Sequence, residues 1–413
     1  MTRKLLSLIL IFLIVLPLEG CWDKTELEDF GYVAVIGMDK RQDKFLDVTF
    51  QVTNIQMGTS TKTNVQEPSS SIITLAATDV LAAKELADIT STRKLTFTHT
   101  VAVVVSEELA RSNNFYQLIG PLYRDIDIRG EVNFIVCREK ASDFIRQNNP
   151  PLETRPSKFY TFMAERWRES GIVPQSKLQK LLRFTQDDTS AYMAIYASSK
   201  NGTSDSVSEY NFDYVAGSVN KTSENPTQMI GSAIFKEGRM IGVISGEETR
   251  LSLILRPKSE LQRITMTFPD PLNENYKITG ILTTRKNSKI KIDVKEKEPK
   301  IYVEVPVKFE LLAVPSFIDY ASDLKLQQLL KDSIEEYLEG RAASLIDKSQ
   351  NEFRAEPFRW GYAARKTFWT LDEYKSYDWM SSYPKAKVFI DFDVSIKNFG
   401  RQIHSPSLPR VRD

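Results

Sequence analysis

Residues 301–313, IYVEVPVKFELLA, form the clearest strand pattern in the chain, and they decide the fold class of its C-terminal half. Apolar side chains occupy every second position from Val303 to Leu311, while Glu304, Lys308 and Glu310 lie between them. Successive side chains of a strand point to opposite faces, so this alternation predicts a strand with one buried face. A sheet built on this strand needs a covering layer.

The covering layer is predicted over residues 322–353, where Leu326, Leu330 and Ile334 recur at helical spacing. At about 1.5 Å per residue this helix would be roughly 45 Å long, so one end can extend past the sheet as a contact surface. Further strand patterns cover residues 261–268, 276–284, 289–295 and 388–396. We therefore expect an antiparallel meander covered by the long helix, which is an α+β arrangement.

Strand and helix patterns also alternate upstream, beginning with the apolar run at residues 32–38. Residues 198–211, SSKNGTSDSVSEYN, have no apolar periodicity, which is typical of a linker or a long loop. A hairpin pattern follows at residues 229–244. The chain is thus predicted to be a multi-domain α+β protein in which mixed β-sheets pack against helices. The expected domains are an N-terminal α+β domain at 21–205, a small middle domain at 206–260 and a C-terminal sheet-and-helix domain at 261–403.

The composition argues against several classes of function. Across 413 residues, 55 Lys and Arg are balanced by 54 Asp and Glu, so there is no bulk positive field for nucleic acid. Two cysteines and two histidines are too few for an ordinary zinc site. The sequence contains no nucleotide-binding, hydrolase or metalloprotease motif, and paired carboxylates such as Glu107-Glu108 indicate a solvated surface. We expect no catalytic residue, no metal and no cofactor.

The first 21 residues, MTRKLLSLILIFLIVLPLEGC, have the layout of an export signal. The apolar run from Leu5 to Leu18 is shorter than the roughly 18 to 20 residues that a membrane-spanning helix needs. Leu18 and Gly20 before Cys21 resemble the bacterial lipobox, although Glu19 departs from its usual small residue. Residues 1–20 are therefore predicted to be a lipoprotein signal peptide and Cys21 the lipidation site. An uncleaved anchor and a chance cysteine are the alternatives.

Cleavage before Cys21 would remove two cations and one anion from a formal net charge of +1, leaving a neutral mature chain held by its lipid. Cys137 would then be the only free cysteine, and it is expected to be a small buried residue of a strand. His99 alternates with apolar residues and is expected to face with them in a strand over residues 95–105. At helical spacing one face carries Phe159, Phe162, Met163 and Trp167, which are expected to be core residues.

Four segments, in this order, resemble the Ger(x)C lipoproteins, the C subunits of bacterial spore germinant receptors. They are Gly20–Leu27 (GCWDKTEL), Val35–Lys40 (VIGMDK), Thr98–Ala110 (THTVAVVVSEELA) and Pro357–Gly361 (PFRWG) with the aromatic residues that follow it. Arg359 stands where the family usually has glycine, and Glu356 where it usually has aspartate. The local turn is therefore expected to differ.

The resemblance implies a non-enzymatic protein of three mixed-sheet domains, needed for nutrient-triggered germination. It implies a lipid anchor on the outer face of the spore inner membrane and assembly with two polytopic partners, the A and B membrane subunits. Trp360, Trp369 and Trp379 are candidate partner contacts; the alternative is that these indoles fill the core of the last domain.

Two other functions are weighed against this one. A solute-binding lipoprotein of a membrane transporter would share the anchor but should fold as two doubly wound lobes. The predicted meander argues against that fold. A lipid-anchored envelope hydrolase would need a nucleophile or metal constellation, which the sequence does not display.

Overall fold

The computed structural model describes Arg3 and residues 29–42, 45–53, 70–153, 155–166, 169–187, 189–202, 213–259, 261, 263–284, 286–295 and 298–398. Within these ranges the strands form two sheets, of nine and five strands. Helices cover both, so the predicted α+β class is confirmed.

The N-terminal sheet has a parallel centre and antiparallel edges. Its spatial order is β3-β2-β1-β5-β6-β7-β8-β9, and β4 pairs with the start of β1. The central strands β1, β5, β6 and β7 run parallel, whereas β2, β3, β8 and β9 are added antiparallel. The strands are β1 (Phe30–Lys40), β2 (Leu46–Thr53), β3 (Ser70–Ala77), β4 (Lys94–Thr96), β5 (Ala102–Ser106), β6 (Asn133–Cys137), β7 (Tyr192–Ser198), β8 (Gln228–Lys236) and β9 (Arg239–Ile244).

Helices lie on both faces of this sheet because its central strands are apolar on both faces. One face packs against residues of α1, α2, α3 and α6, and the other against α4 and α5. The buried Cys137 lies in the second of these cores, as predicted. The helices are α1 (Val80–Thr90), α2 (Glu107–Ala110), α3 (Phe115–Ile119), α4 (Ala141–Gln147), α5 (Pro156–Glu165) and α6 (Leu178–Asp187).

Two local predictions are wrong in this half. The Ala-rich helical spacing of residues 75–89 predicts a helix from Leu75, but the helix begins only at Val80, because β3 extends to Ala77 as the edge strand paired with β2. The single strand expected over residues 95–105 is broken into β4 and β5 by a turn, in which the Thr100 N–H donates to the Phe97 carbonyl. His99 is therefore exposed, where its ring meets the edge of Tyr32.

The hairpin of β8 and β9 extends the N-terminal sheet across the predicted boundary at residue 205. Its turn places Glu237 and Gly238 at positive φ, as a tight hairpin turn requires. The helix α7 (Gly246–Ile254) follows and packs on β8 through a hydrogen bond between Ser232 and Thr249. The division into three domains stays a prediction.

The C-terminal sheet consists of β10 (Ile264–Pro269), β11 (Lys277–Thr284), β12 (Lys289–Asp293), β13 (Lys300–Ala313) and β14 (Lys387–Asn398). Antiparallel pairing is confirmed for β10 to β13, but the strand order is not a simple meander. Both β11 and β12 pair with β13, along its later and earlier halves, while β14 pairs with it in parallel. The sheet is therefore mixed.

The long helix α8 (Leu324–Lys348) covers one face of this sheet and continues into a π-helical turn, Ser349–Phe353. Its buried side chains include Leu330, Ile334 and Leu338. Glu335 and Glu339 also accept hydrogen bonds from the backbone N–H groups of Val394 and Phe392 in β14. These carboxylates occupy edge donors that would otherwise be open to another strand. Three short helices lie between this turn and β14: α9 (Gly361–Arg365), α10 (Leu371–Tyr377) and α11 (Trp379–Ser382).

Candidate interaction site

The residues predicted to act as contacts or attachment points fall in different places. Cys21 and the lipobox lie outside the described residues, as does Trp167. Trp360 and Trp379 are 0% and 2% exposed, whereas Trp369 is 97% exposed. The core alternative therefore holds for two of the three indoles, and neither is available to a partner in this structure. Trp369 alone stays a candidate contact.

Trp360 belongs to a loop that joins the two halves of the molecule. Its indole N–H donates to the Leu255 carbonyl at 2.9 Å, just beyond the end of α7. Its ring lies 4.5 Å from that of Phe358, measured between centroids. Four residues before Trp360, the backbone carbonyl of Glu356 accepts hydrogen bonds from the Ala191 N–H and the Ser190 hydroxyl. Both residues lie just before β7. The loop 356–361 thus fastens the C-terminal half to the N-terminal sheet.

The two departures from the family pattern are accommodated within this loop. Arg359 has φ of 63°, the left-handed region that glycine adopts most readily. The buried Glu356 carboxylate accepts hydrogen bonds from the backbone N–H groups of Phe358 and Gly361, both at 2.8 Å. A Cβ atom on Gly361 would lie 1.8 Å from the Thr189 carbonyl oxygen, so only glycine allows this close approach.

Burial raises the pKa of the Glu356 carboxyl from 4.5 to about 7, against the opposing effect of the N–H groups that donate to it. The unfolded chain loses this proton near pH 4.5, while the folded chain keeps it up to about pH 7. The folded state therefore binds more protons between these values, and this group's contribution to the free energy of unfolding falls as pH rises through the window.

The free energy of unfolding is expected to decrease by up to roughly 3 kcal/mol across this pH window because of Glu356. We expect Glu356→Gln to abolish that decrease, because glutamine does not titrate. Denaturant unfolding at about pH 5 and about pH 7.5 measures it. Glu352→Gln is the control, since Glu352 is exposed in the neighbouring turn and should leave the pH dependence intact. A Glu356→Gln protein with the pH dependence of the parent would contradict this role.

An ion-pair network makes a second junction. Arg341 of α8 lies 2.9 Å from both Glu247 of α7 and Asp213, and Tyr337 donates to Glu247. Burial raises the pKa of Glu247, and the guanidinium of Arg341 opposes that shift. The adjacent carboxylate of Glu248 pairs with Lys348, which lies two turns beyond Arg341 on α8, at 3.0 Å. One buried and two partly exposed carboxylates thus pair with cations of the long helix.

Trp369 lies at the hydrogen-bonded start of a helix. Glu373 accepts hydrogen bonds from the backbone N–H groups of Trp369 and Thr370, and the Thr370 hydroxyl accepts from the Glu373 N–H. This capping box fixes the start of α10. The neighbouring Leu371 is 45% exposed, and Arg365 and Lys366 are exposed as well. An exposed indole on a fixed turn is typical of a contact residue. We call Trp369 and Leu371 the Trp369 surface.

A second apolar surface lies at one end of the C-terminal sheet, where β10 turns into β11 and β13 ends. Asp270 accepts from the hydroxyls of Ser316 and Tyr320 and so ties that turn to the loop before α8. Sequence reasoning anticipated only that one end of the long helix would be exposed. The exposed apolar side chains at this sheet tip are Leu272, Tyr276, Leu312, Phe317 and Leu324.

A surface depression of about 530 Å³ lies beside the start of α1. Its Asp79 is occupied as the N-cap of α1, accepting from the N–H groups of Leu81 and Ala82. Among the described residues there is no cluster of three metal-ligating side chains. No helix in the described ranges is both long and apolar enough to cross a bilayer.

Comparison with known proteins identifies similar chains along most of the sequence. Residues 23–197 match the model "Spore germination protein N-terminal domain", and residues 230–400 match "Spore germination B3/ GerAC like, C-terminal". Spore germination protein B3 of Bacillus subtilis (strain 168) is 21% identical over 84% of this chain and 85% of its own length. Spore germination protein KC of the same organism is 29% identical, over 38% of this chain and 39% of its own length.

Among solved structures, the crystal structure of the GerBC protein is similar with a TM-score of 0.54 and 18% identity. The match covers 87% of this chain and 96% of that one. At this identity the likeness shows a shared fold.

Proposed function

This chain belongs to the Ger(x)C family of spore germination proteins, and we propose that it is the lipid-anchored, non-enzymatic C subunit of a spore germinant receptor. Its role therefore lies in spore germination. The main support for a lipid-anchored subunit is the position of the family match. The match begins at residue 23, two residues after the cysteine of the proposed lipobox. A diacylglyceryl group on Cys21 would hold the folded body on the outer face of the spore inner membrane.

The folded body fits a role in assembly. Its buried carboxylates serve structural partners: Glu356 binds backbone N–H groups, and Glu247 binds Arg341 and Tyr337. Neither residue lines the depression beside the start of α1. We propose that the polytopic A and B subunits recognise germinant and conduct ions, and that this chain stabilises the state of the complex that signals.

The Trp369 surface is the proposed contact with these membrane subunits. Trp369 and Leu371 present apolar area on a turn fixed by its capping box, so little conformational entropy is lost on binding. The flanking cations Arg365 and Lys366 can pair with acidic groups around the apolar contact. The sheet tip is a second exposed apolar area, and the co-purification experiment below can be applied to it as well.

We expect Trp369→Ala to lower recovery of the A and B subunits with the tagged chain from spore membranes by tenfold or more, as for a contact worth about 1.4 kcal/mol or more. Ile126→Ala is the matched control, because Ile126 is 98% exposed and lies on the other half of the molecule. Quantitative mass spectrometry of the co-purified proteins is the measurement. Full recovery with Trp369→Ala would reject the Trp369 surface as the contact.

A further inference from the structure

The first strand begins close to the proposed attachment point. Nine residues lead from Cys21 to Phe30, the first residue of β1. Even when fully extended, nine residues span only about 30 Å. A folded body of this size is about 55 Å across, by the usual scaling of the radius of gyration with length. The end of the N-terminal sheet that holds Phe30 is therefore the end that a lipid on Cys21 brings to the bilayer.

A depression of about 400 Å³ opens at this same end of the sheet. Val52, Ile73 and Leu95 form its apolar wall. Arg93 has no hydrogen bond or ion pair with any other described residue. The polar side chains around the depression are Thr53, Ser70, Ser71, Ser91, Thr92 and Arg93. Hydroxyl donors beside a guanidinium that no other described residue pairs are the groups that bind a phosphate oxygen.

The rim of the depression has the composition of a membrane-interface surface. Ile89 and Leu86, on the last turns of α1, are 75% and 43% exposed. Lys94 is exposed beside them and also lacks a described partner. Apolar side chains next to exposed cations are typical of segments that lie on anionic bilayers.

Aromatic and acidic groups at this end fit the same assignment. The rings of Tyr32 and His99 meet edge to face, with centroids 4.8 Å apart, and aromatic rings of this kind are common at headgroup level. The Asp88 carboxylate accepts from the Leu95 N–H, and Asp29 also has a partner of its own. Glu85 is exposed one turn of α1 before Ile89.

We propose that this base of β1, comprising the depression with Arg93 and the rim residues Ile89 and Lys94, docks on the bilayer and binds the phosphate of an anionic phospholipid. The proposal rests on the proposed anchor at Cys21. It gives the protein a second membrane contact, which fixes the orientation of the body and hence which surfaces face outward.

The test uses the full lipidated chain on phosphatidylcholine vesicles, with and without phosphatidylglycerol, and nitroxide-labelled lipid as a fluorescence quencher. A fluorophore is attached at Ile89→Cys or, as a control, at Phe45→Cys. Phe45 is 44% exposed and precedes β2 at the opposite end of the same sheet. We expect strong quenching at position 89, increased by phosphatidylglycerol, and little at position 45. Arg93→Ala should abolish the increase, whereas Lys40→Ala, at the far end of β1, should leave it unchanged.

Equal quenching at both positions, or no effect of phosphatidylglycerol, would overturn the docking proposal while the protein stays on the vesicles. That result would leave the anchor at Cys21 standing. An unmodified Cys21 in the mass spectrum of the membrane-derived protein would instead refute the anchor and, with it, the docking proposal.

Discussion

Cys21→Ala is expected to release the protein from the spore membrane and to abolish nutrient-triggered germination through its receptor. Without a thiol at position 21 no diacylglyceryl group can be attached. A chain that begins at Cys21 would carry no net formal charge, so electrostatic attraction to the bilayer could not replace two acyl chains. Fractionation of spore lysates and the fall in optical density after addition of nutrient measure the two effects.

Cys137→Ala is the matched control for that substitution. Cys137 is buried in β6, where its thiol lies near the carbonyls of Val105 and Glu139. Its loss should cost about 1 kcal/mol of stability and leave membrane retention unchanged. If a Cys21→Ala protein that is soluble in the spore still restores the full response to nutrient, the anchor is not needed for function.

Trp360→Ala is expected to lower the free energy of unfolding by about 3–5 kcal/mol, among the largest effects of any single substitution. The change empties a fully buried volume against Phe358 and Tyr383 and leaves the Leu255 carbonyl without its donor. Because Trp360 lies where the loop 356–361 joins the two halves, we expect both halves to be destabilised. Chemical denaturation followed by circular dichroism measures the change.

Trp369→Ala is the contrasting substitution within the same aromatic segment. Its side chain is almost fully exposed, so the free energy of unfolding should change by less than about 0.5 kcal/mol. The same variant is expected to lose partner binding. Equal destabilisation by both substitutions would mean that Trp369 is packed in solution, and its assignment as a contact would then fall.

Patterns within a single strand or helix could be predicted from the sequence, but partners between strands could not. The alternation from Val388 to Ile396 predicts β14, and the helical spacing after Ser322 predicts α8. The parallel pairing of β14 with β13 depends on the long connection through α8, and no local pattern specifies it. The edge strand β3 was not predicted, because Ser70 and Ser71 continue a polar stretch and only Ala77 among its residues is buried.

In the candidate site, too, the residues could be found from the sequence but their exposure could not. Three tryptophans within one aromatic segment look alike in sequence, yet Trp360 and Trp379 are buried and Trp369 is not. Which indole faces solvent depends on how α9, α10 and α11 pack together, and single-sequence periodicity is too short to define that in helices of four to seven residues. The capping box Thr370–Glu373 was a readable signal that the Trp369 turn is rigid.

The most direct test of the account is purification of the tagged chain from spore inner membranes, followed by mass spectrometry of its first peptide and of the proteins that accompany it. The account predicts a peptide that begins at Cys21 and carries a diacylglyceryl group, together with two polytopic membrane subunits. An unmodified Cys21, or a chain recovered without any polytopic partner, would contradict it.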